Sequence, residues 1–113
     1  MGDLSKHFNR SEFACKCGCG FDTVDYELLL VVEDVRTHFN KPITINSGCR
    51  CVKHNASVGG TERSQHVKGK AADIVVKGVE PKEVADYIGD WTGGLKAYDT
   101  FTHVDSRNSR ARW

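Results

Sequence analysis

A chain of 113 residues is the size of one domain and leaves little room for a second, so residues 1–113 are read as a single domain. With 16 Lys and Arg against 15 Asp and Glu the net charge is +1, which excludes the basic excess of a nucleic-acid or membrane-surface binder. No run of about 18 apolar residues is present to span a bilayer, and Met1-Gly2-Asp3-Leu4-Ser5-Lys6-His7 lacks the apolar stretch of a secretory signal, so a monomer made in the cytoplasm without a signal peptide is expected.

Residues 4–13 read as an arm in which Phe8 and Phe13 dock on the core and Ser11 starts a short helical turn. Five cysteines follow in two clusters, Cys15-Lys16-Cys17-Gly18-Cys19 and Cys49-Arg50-Cys51. The odd count argues against a fully paired framework and leaves three states open: one or two disulfides, free thiols, or a thiolate metal site tying the N-terminal loop to the segment around residue 50. Over 25–39 the apolar residues Leu28, Leu29, Val31, Val32, Val35 and Phe39 recur at three- and four-residue steps, which predicts the main helix, with Asp22 or Thr23 as N-cap and Pro42 beyond its end. Residues 43–45 alternate as a short strand that ends in a turn at Asn46-Ser47-Gly48. Residues 51–63 carry Gly59-Gly60 and little periodicity, so they read as a surface loop bordering a cleft.

After Gly69, the mostly apolar, β-branched run 71–76 predicts a central strand with one charge inside it, Asp73. A buried carboxylate is costly unless it is paired or bound to a metal. Residues 80–91 predict a second, shorter helix with Pro81 near its first position and Val84, Ala85, Ile88 and Trp91 on one side. Gly93-Gly94 turns the chain into strands at 95–98 and 101–105, and 110–113 reads as a closing strand. This order of elements predicts an α+β layer with a mainly antiparallel sheet. The basic residues Arg107, Arg110 and Arg112 read as a solvated edge.

Ser64-Gln65-His66 through Asp73, together with Thr102-His103-Val104-Asp105, supply two imidazoles and a carboxylate. A catalytic zinc takes three protein ligands and keeps a fourth position for water, so His66, Asp73 and His103 complete the protein share of one zinc per chain in a central cleft. The competing reading is a pair of partly exposed histidines and a salt-bridged aspartate. His7 and His54 repeat no ligand spacing and read as surface residues.

The element His66-x-x-Gly69-x-Ala71-x-Asp73, with Ser47-Gly48-Cys49-Arg50 before it and Phe101-Thr102-His103-Val104-Asp105 and Trp113 after it, resembles a zinc peptidase superfamily. That superfamily groups D-alanyl-D-alanine carboxypeptidases, L-alanyl-D-glutamate endopeptidases of bacteriophages and the signalling domain of hedgehog proteins. The likeness spans nearly the whole domain and is closest in kind to the small branch found in phage endolysins and bacterial cell-wall enzymes. It implies hydrolysis of the stem peptide of bacterial peptidoglycan, whether by a D,D- or L,D-type carboxypeptidase or endopeptidase, in cell-wall lysis or remodelling. It also implies zinc on His66, Asp73 and His103.

Arg50 matches the superfamily arginine that stabilises the oxyanion; its plainer alternative is an ion pair with a surface acid. Several branches carry a Glu or Asp three residues before the last zinc histidine as acid/base, and Thr100 stands there in this chain. Asp105 and Asp99 are the remaining candidates. Asp105 is favoured because, two residues after His103 on an extended strand, it shares that ligand's face. For either aspartate the alternative is an ion pair with Arg107 or a hydrogen bond to a zinc histidine. Ser64 and Gln65 are expected to contact the substrate peptide or to orient His66, while Tyr98 lines the cleft and Trp91 packs in the core. Two other functions stay open: a zinc-binding module without catalysis, and a structural module of a virion with the same fold.

Overall fold

The computed structural model describes residues 2–61 and 64–113. In chain order its elements are helix α1 (Tyr26–Phe39), strand β1 (Ile43–Ser47), helix α2 (Val52–Ser57), strand β2 (Ala71–Val76), helix α3 (Pro81–Ile88), strand β3 (Gly94–Ala97) and strand β4 (Thr102–Asp105). Short 3-10 turns at Arg10–Glu12 and Gln65–Lys68 complete the set. The strands form one antiparallel sheet in the order β1-β2-β4-β3, so the α+β expectation holds and β2 and β4 lie inside.

Because side chains alternate across a strand, the sheet has two chemically different faces. Ala72, Ile74 and Val76 of β2 and Val104 of β4 join Leu28, Val32 and Val35 of α1 and Val84 of α3 in the hydrophobic core. Asp73 is the direct cross-strand partner of His103, Ala71 that of Asp105, and Asp105 is in turn opposite Gly94 of β3. The intervening positions thus put Asp73, His103 and Asp105 together on the face turned away from α1 and α3.

Helix α1 matches the expected span, but Asp25 and not Asp22 or Thr23 is its N-cap, with extended backbone at the entry. Its carboxylate accepts the Ser106 hydroxyl at 2.7 Å instead of capping. Asn40, in the left-handed region at φ 52, ends the helix before Pro42. Strand β1 runs two residues further than expected, because a register shift between Ile45 and Ser47 lets the chain stay paired where a turn was read. The stretch expected as loop from 51 to 63 contains α2, and its positions 62 and 63 lie outside the described residues. Helix α3 stops at Ile88, where Gly89 takes φ 61, so Trp91 packs against the core from beyond the helix. Near the C-terminal end the expected strand reduces to a single bridge between Ala111 and Gly94.

The arm packs as expected. Phe8 and Phe13 are buried and meet edge to face, 5.8 Å between centroids. Glu33 on α1 ties the arm down by accepting the Ser5 hydroxyl and the His7 backbone N–H, and it pairs with the His7 ring at 2.6 Å. His7 is therefore a half-buried anchor and not a free surface residue. His54 is half-buried on α2.

Candidate metal centre

Two local features and one bond to the start of α1 carry His66 onto the polar face of the sheet. The Ser64 hydroxyl accepts the His66 backbone N–H at 3.2 Å and starts the turn Gln65–Lys68. Gly69 ends it at φ 70, where a Cβ would stand 2.7 Å from Thr23, so only glycine fits. The Gly69 carbonyl then accepts the Asp25 N–H at 2.8 Å, fastening the turn to the start of α1.

Both imidazoles are oriented by acceptors behind them. The Gly48 carbonyl takes the Nδ1–H of His66 at 2.6 Å, and Oδ2 of Asp105 takes the Nε2–H of His103 at 2.8 Å. A neutral imidazole has one N–H and one lone pair, so these bonds leave Nε2 of His66 and Nδ1 of His103 as lone pairs. Those atoms face Asp73, at 3.4 Å from Oδ2 and 2.9 Å from Oδ1 respectively. Ligand atoms of the three residues fall within 4.8 Å of one another, all three side chains being buried. With both rings neutral, two lone pairs and a carboxylate meet at one point, and that donor set fits a zinc ion with three protein ligands.

Charge in the centre agrees. Burial by itself would raise the Asp73 carboxyl, but in the metal-free chain hydrogen bonds from the His103 and His66 rings outweigh it and hold the group down at about 2, and a bound ion would take the place of those ring protons. It is a carboxylate at neutral pH, the state a metal ligand needs. The Arg50 guanidinium stands 3.6 Å from its Oδ2.

Asp105 lies behind His103, on the ring edge opposite the one that faces Asp73. It is fully buried, and all its acceptor positions are used: Oδ1 by the Gly94 N–H and Arg107 Nε at 2.8 Å each, Oδ2 by His103 and by Arg107 at 2.7 Å. Burial pushes its pKa up, yet the bonds from His103 and Arg107 hold it well below the usual carboxylate range. Of the roles open to it from sequence, this placement provides the hydrogen bond to a ligand histidine and the ion pair with Arg107. Asp99 is exposed beyond the end of β3.

A cleft of about 510 Å³ opens onto the three ligands and is lined by Arg50, Gly59, Gly60, Thr61, Ser64, Gln65, Tyr98, Phe101, Arg107 and Trp113. Ser64 and Gln65 border it. Arg50 is braced in place: its Nε donates to Ser47 Oγ and one terminal nitrogen to Asn55 Oδ1, both at 3.1 Å. On the opposite wall Tyr98 stacks on Phe101, and Trp113 lies against the His103 ring while donating its Nε1–H to the Tyr98 hydroxyl at 3.0 Å.

Sequence reasoning misses several of these supports. Asn55 is buried and spends its amide N–H on the Thr61 carbonyl at 2.7 Å while its oxygen holds Arg50. Gly94 leaves room for the Asp105 carboxylate, since a Cβ there would sit 2.2 Å from Oδ2. Gly48 contributes through its carbonyl and through its close approach to the Phe13 backbone, where a Cβ would stand 2.4 Å from the Phe13 carbonyl oxygen. The one available signal was composition: a buried-strand Asp two residues after a ligand His asks for donors nearby.

The sequence model of the family described as Peptidase M15 matches residues 6–105, from the arm to the end of β4. A zinc D-Ala-D-Ala carboxypeptidase from Streptomyces albus G is 51% identical over 35 residues, a stretch that makes up 31% of this chain. The same stretch spans 14% of that relative's length.

Proposed function

This chain belongs to the Peptidase M15 family, and from that premise we propose that it is a zinc-dependent peptidase cutting the stem peptide of bacterial peptidoglycan. The observation that carries the reading is the pair of locked imidazoles, each held by an acceptor at one nitrogen so that the other meets the Asp73 carboxylate. The substrate class is supported by the relative named a zinc D-Ala-D-Ala carboxypeptidase. We infer a role in cell-wall lysis or remodelling, by a phage or a bacterial enzyme, from the resemblance of the motifs around His66, Asp73 and His103.

His66, Asp73 and His103 hold the ion. Zinc in such a site would act as a Lewis acid on a carbonyl and would bring the pKa of a water down to about 7. Arg50 projects into the cleft beside the centre, already fixed by Ser47 and Asn55, and stabilises the negative charge that develops on the scissile carbonyl oxygen. Ser64 and Gln65 offer polar contacts to the substrate backbone, and the aromatic side chains of Tyr98, Phe101 and Trp113 offer apolar surface to it on the other side of the cleft. Asp105 is a positioning residue for His103; to carry a proton it would have to release Arg107 or Gly94.

Digestion of purified peptidoglycan tests this reading. The chain with zinc releases peptide fragments, a chelator stops the release, zinc restores it, and His66→Ala abolishes it. Mass spectrometry of the fragments identifies the bond and separates carboxypeptidase from endopeptidase action. A second reading, a zinc-binding module without catalysis, is favoured by Thr100 at the place of the acid/base and by the fully engaged Asp105. Zinc bound at the centre with no fragment released selects it.

A further inference from the structure

We infer that Cys15, Cys17, Cys19 and Cys51 form a second metal site, structural in role, that takes a tetrahedral thiophilic divalent ion such as zinc. One sulfur from each residue falls within 4.8 Å of all the others. The separations that define the cluster are 3.4 Å between Cys15 and Cys17 and 3.7 Å between Cys17 and Cys51. Four sulfurs at about 2.3 Å from a central zinc stand about 3.8 Å apart, so the cluster is already close to the size of a four-thiolate zinc site.

The backbone explains how so tight a Cys-x-Cys-x-Cys run turns three sulfurs inward. Gly18 and Gly20 take φ values of 80 and 94, which side-chain-bearing residues resist. The Cys15 N–H bonds to the Phe21 carbonyl at 2.7 Å and the Gly18 N–H to the Cys15 carbonyl at 3.2 Å, closing the loop into a knuckle. Two backbone N–H groups then point at sulfur: Cys51 to Cys15 Sγ and His54 to Cys51 Sγ, each at 3.4 Å. Such donors stabilise thiolates and orient them toward a metal.

Residues 16–20 are exposed. No apolar packing therefore repays the ordering of this loop, and an ion binding four thiolates does. The fifth cysteine resolves the odd count. Cys49 is buried and apart from the cluster, and its S–H donates to the Phe13 and Phe21 carbonyls, so it is a small packed thiol. The site staples the N-terminal loop to residue 51, next to Arg50, and so stiffens the segment that presents the guanidinium to the cleft.

The test uses the His66→Ala chain, purified with reducing agent and titrated with cobalt(II) alone. One equivalent of cobalt is expected to bind with the intense sulfur-to-cobalt charge-transfer absorption of a tetrahedral thiolate centre. Adding Cys19→Ser to that background, at an exposed loop position that leaves the core untouched, is expected to weaken cobalt binding about 100-fold or more, beyond the loss seen for outer-shell groups. In the unmutated chain grown with zinc, metal analysis reads two zinc ions per chain against one in His66→Ala. The inference is overturned if His66→Ala binds no cobalt, if the bound cobalt lacks the thiolate band, or if alkylation of the denatured chain finds these cysteines joined in disulfides. Failure of the His66, Asp73 and His103 centre shows up separately, as an unmutated chain with a single zinc that the Cys19→Ser change removes.

Discussion

The bond from His103 Nε2 to Asp105 Oδ2, 2.8 Å long, selects which nitrogen of the imidazole faces Asp73. Register makes it possible, since His103 and Asp105 are two residues apart on β4 and share a face. Asp105→Asn keeps the size of the side chain and removes its charge. Zinc affinity at the three-ligand centre is expected to fall about 10- to 100-fold, read by competition with a chromophoric chelator. Unchanged affinity together with a turnover loss of about 10²- to 10⁴-fold would return the proton-carrying role to this residue.

Arg50 reaches the cleft with its geometry set by Ser47 and Asn55. Arg50→Lys keeps the positive charge but loses the planar fork that these two acceptors hold. The expected result is kcat/KM on peptidoglycan fragments lower by about 10²- to 10³-fold, with zinc content unchanged. Asn55→Ala should act in the same direction and also cost about 1–3 kcal/mol in unfolding experiments, because the bond from the buried Asn55 amide to the Thr61 carbonyl and its hold on Arg50 are lost together.

Gly94 belongs to β3 and its N–H donates to Asp105. A methyl group there would stand 2.2 Å from the carboxylate, which has no free direction to retreat in because Arg107 and His103 hold its other side. Gly94→Ala is therefore expected to cost about 1–3 kcal/mol by overpacking and to lower zinc affinity as His103 is displaced. Urea unfolding of the zinc-free chain and chelator competition measure the two effects independently.

What could be read without the structure follows from the range of each interaction. Strand β2 was legible because Gly69 and the run from Ala71 to Val76 are a local signal, and Asp73 stood out as a charge inside it. Helix α1 was legible from the spacing of Leu28, Val31, Val32 and Val35. Helix α2 was not: six residues are too few for a period to show, and its cap is the sulfur of Cys51 and not one of the usual oxygen side chains. The three ligand candidates could be picked out by residue type. Their supports could not, because Gly48 acts through a carbonyl, Gly94 through the space it leaves and Asn55 through contacts with Arg50 and Thr61 that residue type does not announce.

Glu33 gives the fold a dependence on acid that lies away from the cleft. Burial raises its carboxyl, but bonds from the Ser5 hydroxyl, the His7 N–H and the His7 ring outweigh it, so its pKa in the folded chain lies below the ordinary 4.5. In the unfolded chain Glu33 takes up its proton at the higher pH, so the unfolded state binds more protons between the two values. The stabilisation is complete above about 4.5 and is lost as pH falls through the folded value. Glu33→Gln is expected to cost about 1.5–3 kcal/mol at neutral pH, the range for hydrogen bonds to a charged group, and to flatten the acid limb of the stability curve. Urea midpoints collected from pH 7 down to about 3 test it: equal acid slopes for the two chains would mean that the arm is held by Phe8 and Phe13 alone.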